Sequence, residues 1–216
     1  SPSVSVLAGT LAGRGTISGA VDVQVGGTLS VGDGIPGQMT INSTLTFASG
    51  STNFVEINKS DSVIDNVTGL TGVSYGGTLV ISMVQGTLAN GDSFKLFDAP
   101  PGSYSGAFEA IIPETPGNGL RWDLSSLTVD GTLKVTLPGV RIASFGFDAG
   151  NLSASGSGGT PFAEYQVLTS TNVAAPLAQW ETNATAQFDG SGSFSFTTPL
   201  DPATPRRFFR LQFQSP

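Results

Sequence analysis

The apolar residues of this chain recur at every second position and nowhere settle into a helical spacing. Val4 and Val6, Val21, Val23 and Val25, Phe54, Val55 and Ile57, Leu127 and Val129, Leu133, Val135 and Leu137, Phe194 and Phe196, and Phe209, Leu211 and Phe213 all follow this rule. Side chains two apart share one face of a strand, so each run describes a half-buried strand of about five residues. Turn dipeptides separate the runs, among them Gly26-Gly27, Asp33-Gly34, Gly76-Gly77, Asn90-Gly91, Asp130-Gly131 and Asp189-Gly190. With 29 Gly, 13 Pro and only 12% charged residues, the chain is expected to be all-β with almost no helix.

A short unit repeats within this pattern: Gly followed by Thr and an aliphatic residue. It occurs at Gly9-Thr10-Leu11, Gly15-Thr16-Ile17, Gly27-Thr28-Leu29, Gly77-Thr78-Leu79, Gly86-Thr87-Leu88 and Gly131-Thr132-Leu133. Gly forms a corner, Thr faces solvent with a β-branched side chain, and the aliphatic residue points into a narrow core, as in the stacked coils of a β-helix. The spacing of the copies is irregular, so a solenoid passing into a second β domain is expected. The boundary is placed at Leu137-Pro138-Gly139, where eleven acids and five bases on the N-terminal side give way to five and four. The expected architecture is a β-helix-like or β-solenoid-like repeat domain over residues 1–138, followed by a small antiparallel β-sandwich over residues 139–216.

The chain has no His and no Cys, which excludes His-based general bases, Ser-His-Asp and Cys-His nucleophiles, thiol redox chemistry and the usual zinc ligands. A net charge of -7 and a pI near 4.3 would repel a nucleic-acid backbone, so no nucleic-acid partner is expected. No apolar run approaches the roughly 18 residues of a membrane span, so no membrane insertion is expected. The opening Ser1-Pro2-Ser3 does not resemble a signal peptide.

What chemistry remains has plainer structural readings. A carboxylate-only glycosidase needs two acids about 5 to 9.5 Å apart across a sugar bond. Asp61 with Asp65, and Asp92 with Asp98, are the nearest pairs, and both lie among turn formers where Asp bonds its own backbone. Asp189 and Ser191, within Asp189-Gly190-Ser191-Gly192-Ser193, alternate oxygen donors that suit calcium, but the stretch lacks the closing Glu and reads better as a hairpin connection between Phe188 and Phe194. Tyr165 and Trp180 are candidate sugar-stacking platforms, with burial in a core as the alternative. The basic cluster Arg206, Arg207 and Arg210 interleaves with aromatics. A final strand with Arg207, Phe209, Leu211 and Phe213 on one face explains it without a ligand. No cofactor is called for.

The order of several pieces resembles a known repeat. Gly26-Gly27-Thr28-Leu29-Ser30, Pro36-Gly37 before Met39-Thr40-Ile41-Asn42, and Leu45-Thr46-Phe47-Ala48-Ser49-Gly50-Ser51 running into Phe54-Val55-Glu56-Ile57 are similar to the autotransporter-associated β-strand repeat of large secreted proteins of Gram-negative bacteria. Val73-Ser74-Tyr75-Gly76-Gly77-Thr78-Leu79, Gly91-Asp92-Ser93-Phe94-Lys95-Leu96-Phe97 and Gly119-Leu120-Arg121-Trp122-Asp123 resemble the closing module of such arrays. The resemblance spans residues 9–135. Residues 155–213 resemble a module that follows such repeats in secreted proteins of Verrucomicrobia-like bacteria. The resemblance implies an exported, surface-exposed or released stalk, with no catalytic residues to carry over. Its expected role is structural: a stalk or fibre subunit that self-associates through exposed strand edges, foremost the strand of Val4 and Val6. The alternative is an adhesin module that binds surface polysaccharide through the C-terminal domain, with Tyr165 and Trp180 in contact.

Overall fold

The computed structural model describes residues 3–32, 34–117, 119–204 and 206–213. Asp33, half of the Asp33-Gly34 turn, lies outside the described residues. The protein is all-β, with 53% strand against 3% helix. It divides into two units, Ser1–Thr136 and Leu137–Pro216.

In the first unit the chain visits three parallel sheets in rotation. The first circuit is β1 (Val4–Val6), β2 (Gly9–Gly13) and β3 (Gly15–Ile17), and the second is β4 (Val21–Val23), β5 (Gly27–Val31) and β6 (Gln38–Ile41). The third is β7 (Thr44–Phe47), β8 (Thr52–Asn58) with the short β9 (Val63–Ile64) folded back on it, and β10 (Asn66–Thr68). The fourth supplies β11 (Gly72–Tyr75), β12 (Thr78–Gln85) and β13 (Ser93–Lys95), and the last β14 (Tyr104–Gly106) and β15 (Ala110–Ile112). Equivalent strands stack: β1-β4-β7-β11-β14 form one sheet, β2-β5-β8-β12-β15 a second, and β3-β6-β10 a third.

The registers explain the repeat. Gly9-Thr10-Leu11 lies directly on Gly27-Thr28-Leu29, and both Thr28 and Thr78 pair with Thr52. A column of threonines therefore runs along the outside of the second sheet, from Thr10 to Thr78. The neighbouring inward column is Leu11, Leu29, Asn53, Leu79 and Ile111. In the first sheet Val4, Val21, Leu45, Val73 and Tyr104 form the matching column, and in the third Ile17 pairs with Ile41. Val21, Leu29, Ile41, Leu45 and Leu79 are fully buried in one continuous core.

Not every repeat copy is used this way. Gly86-Thr87-Leu88 lies outside the strands, and Gly131-Thr132-Leu133 opens β17 (Thr132–Thr136), the centre of an antiparallel sheet with β13 and β16 (Arg121–Asp123). Leu127 and Val129, expected in an alternating run, instead lie in the one-turn helix α1 (Leu127–Asp130). The left-handed Gly131 ends that turn, its N–H donating to the Leu127 carbonyl. The phenol of Tyr75 donates to the same carbonyl at 2.9 Å.

The second unit holds two antiparallel three-stranded sheets. One contains β18 (Arg141–Asp148), β19 (Asn151–Ser157) and β22 (Phe194–Pro199), in that order; the other is β21-β20-β23, made from β20 (Glu164–Ser170), β21 (Glu181–Gln187) and β23 (Phe208–Phe213). Tyr165 and Val167 of β20, Phe188, and Phe194 of β22 are its buried cluster, with Phe196, Phe209 and Leu211 packed against it.

Two stability outcomes follow from the stack. Gly77 has φ +59°, and a Cβ there would overlap the Ser51 carbonyl oxygen of the preceding circuit. Gly77→Ala should therefore cost about 3 kcal/mol or more, whereas Gly91→Ala, equally left-handed but in open space, should cost about 1 kcal/mol. Asn53 is buried in the leucine column with its side-chain amide nitrogen unpartnered. Asn53→Leu, nearly the same shape, should raise unfolding stability by about 1 kcal/mol. Chemical denaturation of the three variants checks both.

Candidate functional site

The stack of the first unit ends differently at its two ends. Beyond β14 and β15 come β16, α1 and β17, and α1 packs beside β14. The β1 end has no further strand or helix among the described residues. Each column shows this at its first rung: Val4, Leu11 and Ile17 are half-buried, while Val21, Leu29 and Ile41 in the next circuit are fully buried.

Val4 and Val6 pair with Val21 and Val23 in parallel register, and Val6 is buried. Val4 N donates to Ala20 O at 2.8 Å, and Val6 O accepts from Gln24 N at 2.9 Å. Because backbone groups alternate sides along a strand, the intervening Ser5 turns its N–H and C=O away from β4. The site is thus an open parallel edge: one unpaired donor and acceptor at Ser5, flanked by half-buried apolar rungs and by Leu7, which is exposed.

The acid pairs do different work. Asp65 is buried and accepts from Gly37 N and Glu56 N, both at 2.8 Å. Burial pushes its carboxyl up to about 6, against the two amide donors that favour the charged form; the Glu56 carboxylate raises it further and Arg14 opposes. Asp61 closes a turn with Asn58, accepting from its side-chain amide at 2.9 Å. Asp92 accepts from Ala89 N at 2.7 Å and pairs with Lys59 at 2.6 Å, while Asp98 pairs with Lys95 at 3.5 Å. The Lys59–Asp92 pair borders a cleft of about 290 Å³ that also touches Ser62, Ile64 and Phe94. Asp61, Asp92 and Asp98 are thus engaged by a local turn or a lysine, and Asp65 by two distant backbone amides.

In the second unit, Asp189 Oδ1 accepts from Ser191 N at 2.8 Å, Ser191 Oγ at 2.7 Å and Ser193 N at 2.8 Å. Those donors, the Ser191 hydroxyl first, hold its carboxyl below the usual range. A carboxylate oxygen surrounded by donors is a turn lock, and the hairpin reading accounts for Asp189 and Ser191. Among the described residues, no three acidic side chains gather where a metal ion would sit. Tyr165 is buried, its ring 4.9 Å from that of Phe188 and 5.7 Å from that of Phe194, and its hydroxyl donates to Ser195 O. It offers no face to a sugar ring. Trp180 is half-buried and donates from Nε1 to Ala175 O at 3.1 Å. Phe209 and Leu211 turn inward, and the Arg207 guanidinium lies 5.8 Å over the Phe209 ring. Alternation could locate these inward faces, but the open end of the stack is visible only once the registers are known.

The raised Asp65 carboxyl has a readable consequence. A group whose folded pKa lies above its unfolded value adds stability that is complete below the unfolded pKa of 3.8 and lost as pH rises through about 6. The protein should therefore gain about 1 kcal/mol on acidification from pH 7 to pH 5. Asp65→Asn should flatten that slope, as measured by urea unfolding across the range.

Compared with known proteins, the chain matches no family model, no curated protein sequence and no solved structure.

Proposed function

We propose that this chain is a non-enzymatic structural module working outside the cell or at the surface of a Gram-negative bacterium. On this reading the first unit is a β-helix serving as a stalk or fibre segment, and the second, which follows it in the sequence, is a small antiparallel β-sandwich. Subunits assemble end to end through the open edge at β1. The observation that carries the reading is the half-burial of Val4, Leu11 and Ile17 against the full burial of the rungs behind them. A strand laid on β1 would extend the Val4 column and satisfy Ser5, and a whole further circuit would also cover Leu11 and Ile17. The absence of His and Cys from the sequence and the engagement of Asp61, Asp65, Asp92 and Asp98 in turns, backbone bonds and ion pairs support a role without catalysis. The likeness of residues 9–135 to autotransporter-associated repeats supports export.

The test removes one hydrogen-bond donor. Ser5→Pro deletes the outward N–H and leaves the Val4 and Val6 bonds to the second circuit in place, as proline does on edge strands. Negative-stain imaging over a concentration series should show filaments or end-to-end chains for the wild type and, for Ser5→Pro, no species larger than a pair of subunits, at an unchanged melting temperature. Chains that persist in Ser5→Pro, or a wild type that never assembles, would overturn the edge-pairing reading.

A further inference from the structure

The first strand of the second unit has an exposed apolar face on a free edge. β18 is an end strand of its sheet and pairs only with β19. Its pairing skips one residue between Ile142 and Ser144, a bulge at Ala143. That extra residue shifts the alternation, so Ile142, Phe145 and Phe147 all lie on the face of Gly156, Ala154 and Leu152. Across β19 this same face carries Phe194 and Phe196 of β22, which join the buried cluster. No residue of β18 joins that cluster. Phe145 is 73% exposed, Phe147 69% and Ile142 58%, and the two phenylalanine rings stand edge to face at 6.4 Å. The other edge strands of this unit differ: β21 has no large apolar residue, β22 ends in Pro199, and β23 turns Phe209 and Leu211 into the buried cluster, leaving Phe213 its one exposed large apolar side chain.

We infer that β18 is a homodimerisation strand, pairing antiparallel with β18 of a second copy about a two-fold axis at Phe145. The strand is complementary to itself in one register. Phe145 opposes Phe145 of the other copy, Ser144 opposes Gly146, Ile142 opposes Phe147, and Arg141 opposes Asp148. Stepping outward from the axis, each copy's bulge at Ala143 is crossed once, on opposite sides, so apolar residues meet apolar ones and the outer face meets the outer face. A bulge normally blunts an edge strand; here the symmetry places the two bulges where they match. Both termini of the contact carry opposite charges, and neither Arg141 nor Asp148 has an ion pair among the described residues. The partner is therefore a second copy of this chain. With one eight-residue strand per copy, the contact belongs to the small interfaces, below about 1,200 Å² in total, with dissociation in the micromolar range.

This contact is independent of β1 and is tested in the full-length Ser5→Pro background, so that pairing at the other edge does not contribute. Sedimentation equilibrium should give a monomer–dimer equilibrium. Arg141→Asp and Asp148→Arg should each weaken it about tenfold by setting like charges opposite at both ends, and the double swap should restore it to within about twofold. The chain has no cysteine of its own, so single cysteines report the register. Phe145→Cys should form an intermolecular disulfide, because directly opposed residues lie about 4.5 to 5.5 Å apart. Phe147→Cys, almost equally exposed, should not, because its copies are separated along the strand. A protein that stays monomeric, equal cross-linking at 145 and 147, or a double swap no better than the single swaps would each overturn the proposal.

Discussion

The hydrogen-bond ladder between successive circuits is what the first unit depends on. β1, β3, β4 and β10 have only three residues each, too few to bury an apolar face alone. Each becomes stable by lying in register on the strand of the next circuit, which converts single Val, Leu and Ile residues into continuous columns. Such a ladder tolerates no side chain where one circuit's corner touches the next. At Gly77 the Ser51 carbonyl oxygen occupies the place a Cβ would take. The glycine content of the chain thus serves close backbone approach as much as turning.

Where the winding departs from regularity, polar groups hold it. The irregular segment between β5 and β6 is gripped from two directions: Arg14, in the first circuit, donates to Ile35 O at 3.1 Å and Pro36 O at 3.3 Å, and Asp65, in the third, accepts from Gly37 N. Asp65 accepts from Glu56 N with its other oxygen, so one carboxylate ties together two segments that no strand pairing connects. Its raised pKa is the electrostatic cost of that position, since the same burial that protects the two hydrogen bonds disfavours the charge.

Much of this architecture is legible in the sequence, for physical reasons that attach to particular residues. Period-two alternation identifies Val21 and Val23 of β4, Leu133 and Val135 of β17, Phe194 and Phe196 of β22 and Phe209 and Leu211 of β23, because one face of each is buried, but the ends of two runs, Val25 and Phe213, are exposed. The Gly-Thr-aliphatic unit identified rungs of the second sheet correctly at Leu11, Leu29 and Leu79. At Gly86-Thr87-Leu88 and Gly131-Thr132-Leu133 the leucine still enters the core, but outside the parallel sheets, because three residues do not distinguish a corner of the stack from another turn. The circuits differ in length, as the interval from Thr10 to Thr28 is shorter than that from Thr78 to Ala110, so no fixed period marks the stack. Asn53 was hidden for a related reason: a polar residue in an apolar column is visible only through its register with Leu29 and Leu79. Ile142 and Phe145 are an odd number of residues apart and read as opposite faces, and only the bulge at Ala143 brings them together.

The two edges differ in the symmetry they favour. A copy that extends the first unit in parallel continues its columns by translation, an open contact that leaves another end behind it. An antiparallel strand that opposes its own central residue closes around a two-fold axis and is exhausted after one partner. β1 exposes an unpaired backbone donor and acceptor and incomplete apolar rungs, so backbone continuity dominates there. β18 exposes two aromatic rings and an aliphatic side chain between opposite charges, so side-chain complementarity dominates and fixes a single register. On the proposed reading, a subunit with one edge of each kind would divide extension and pairing between strands whose chemistry differs. Each can then be altered without disturbing the other, because the residues that define them belong to different units with separate cores.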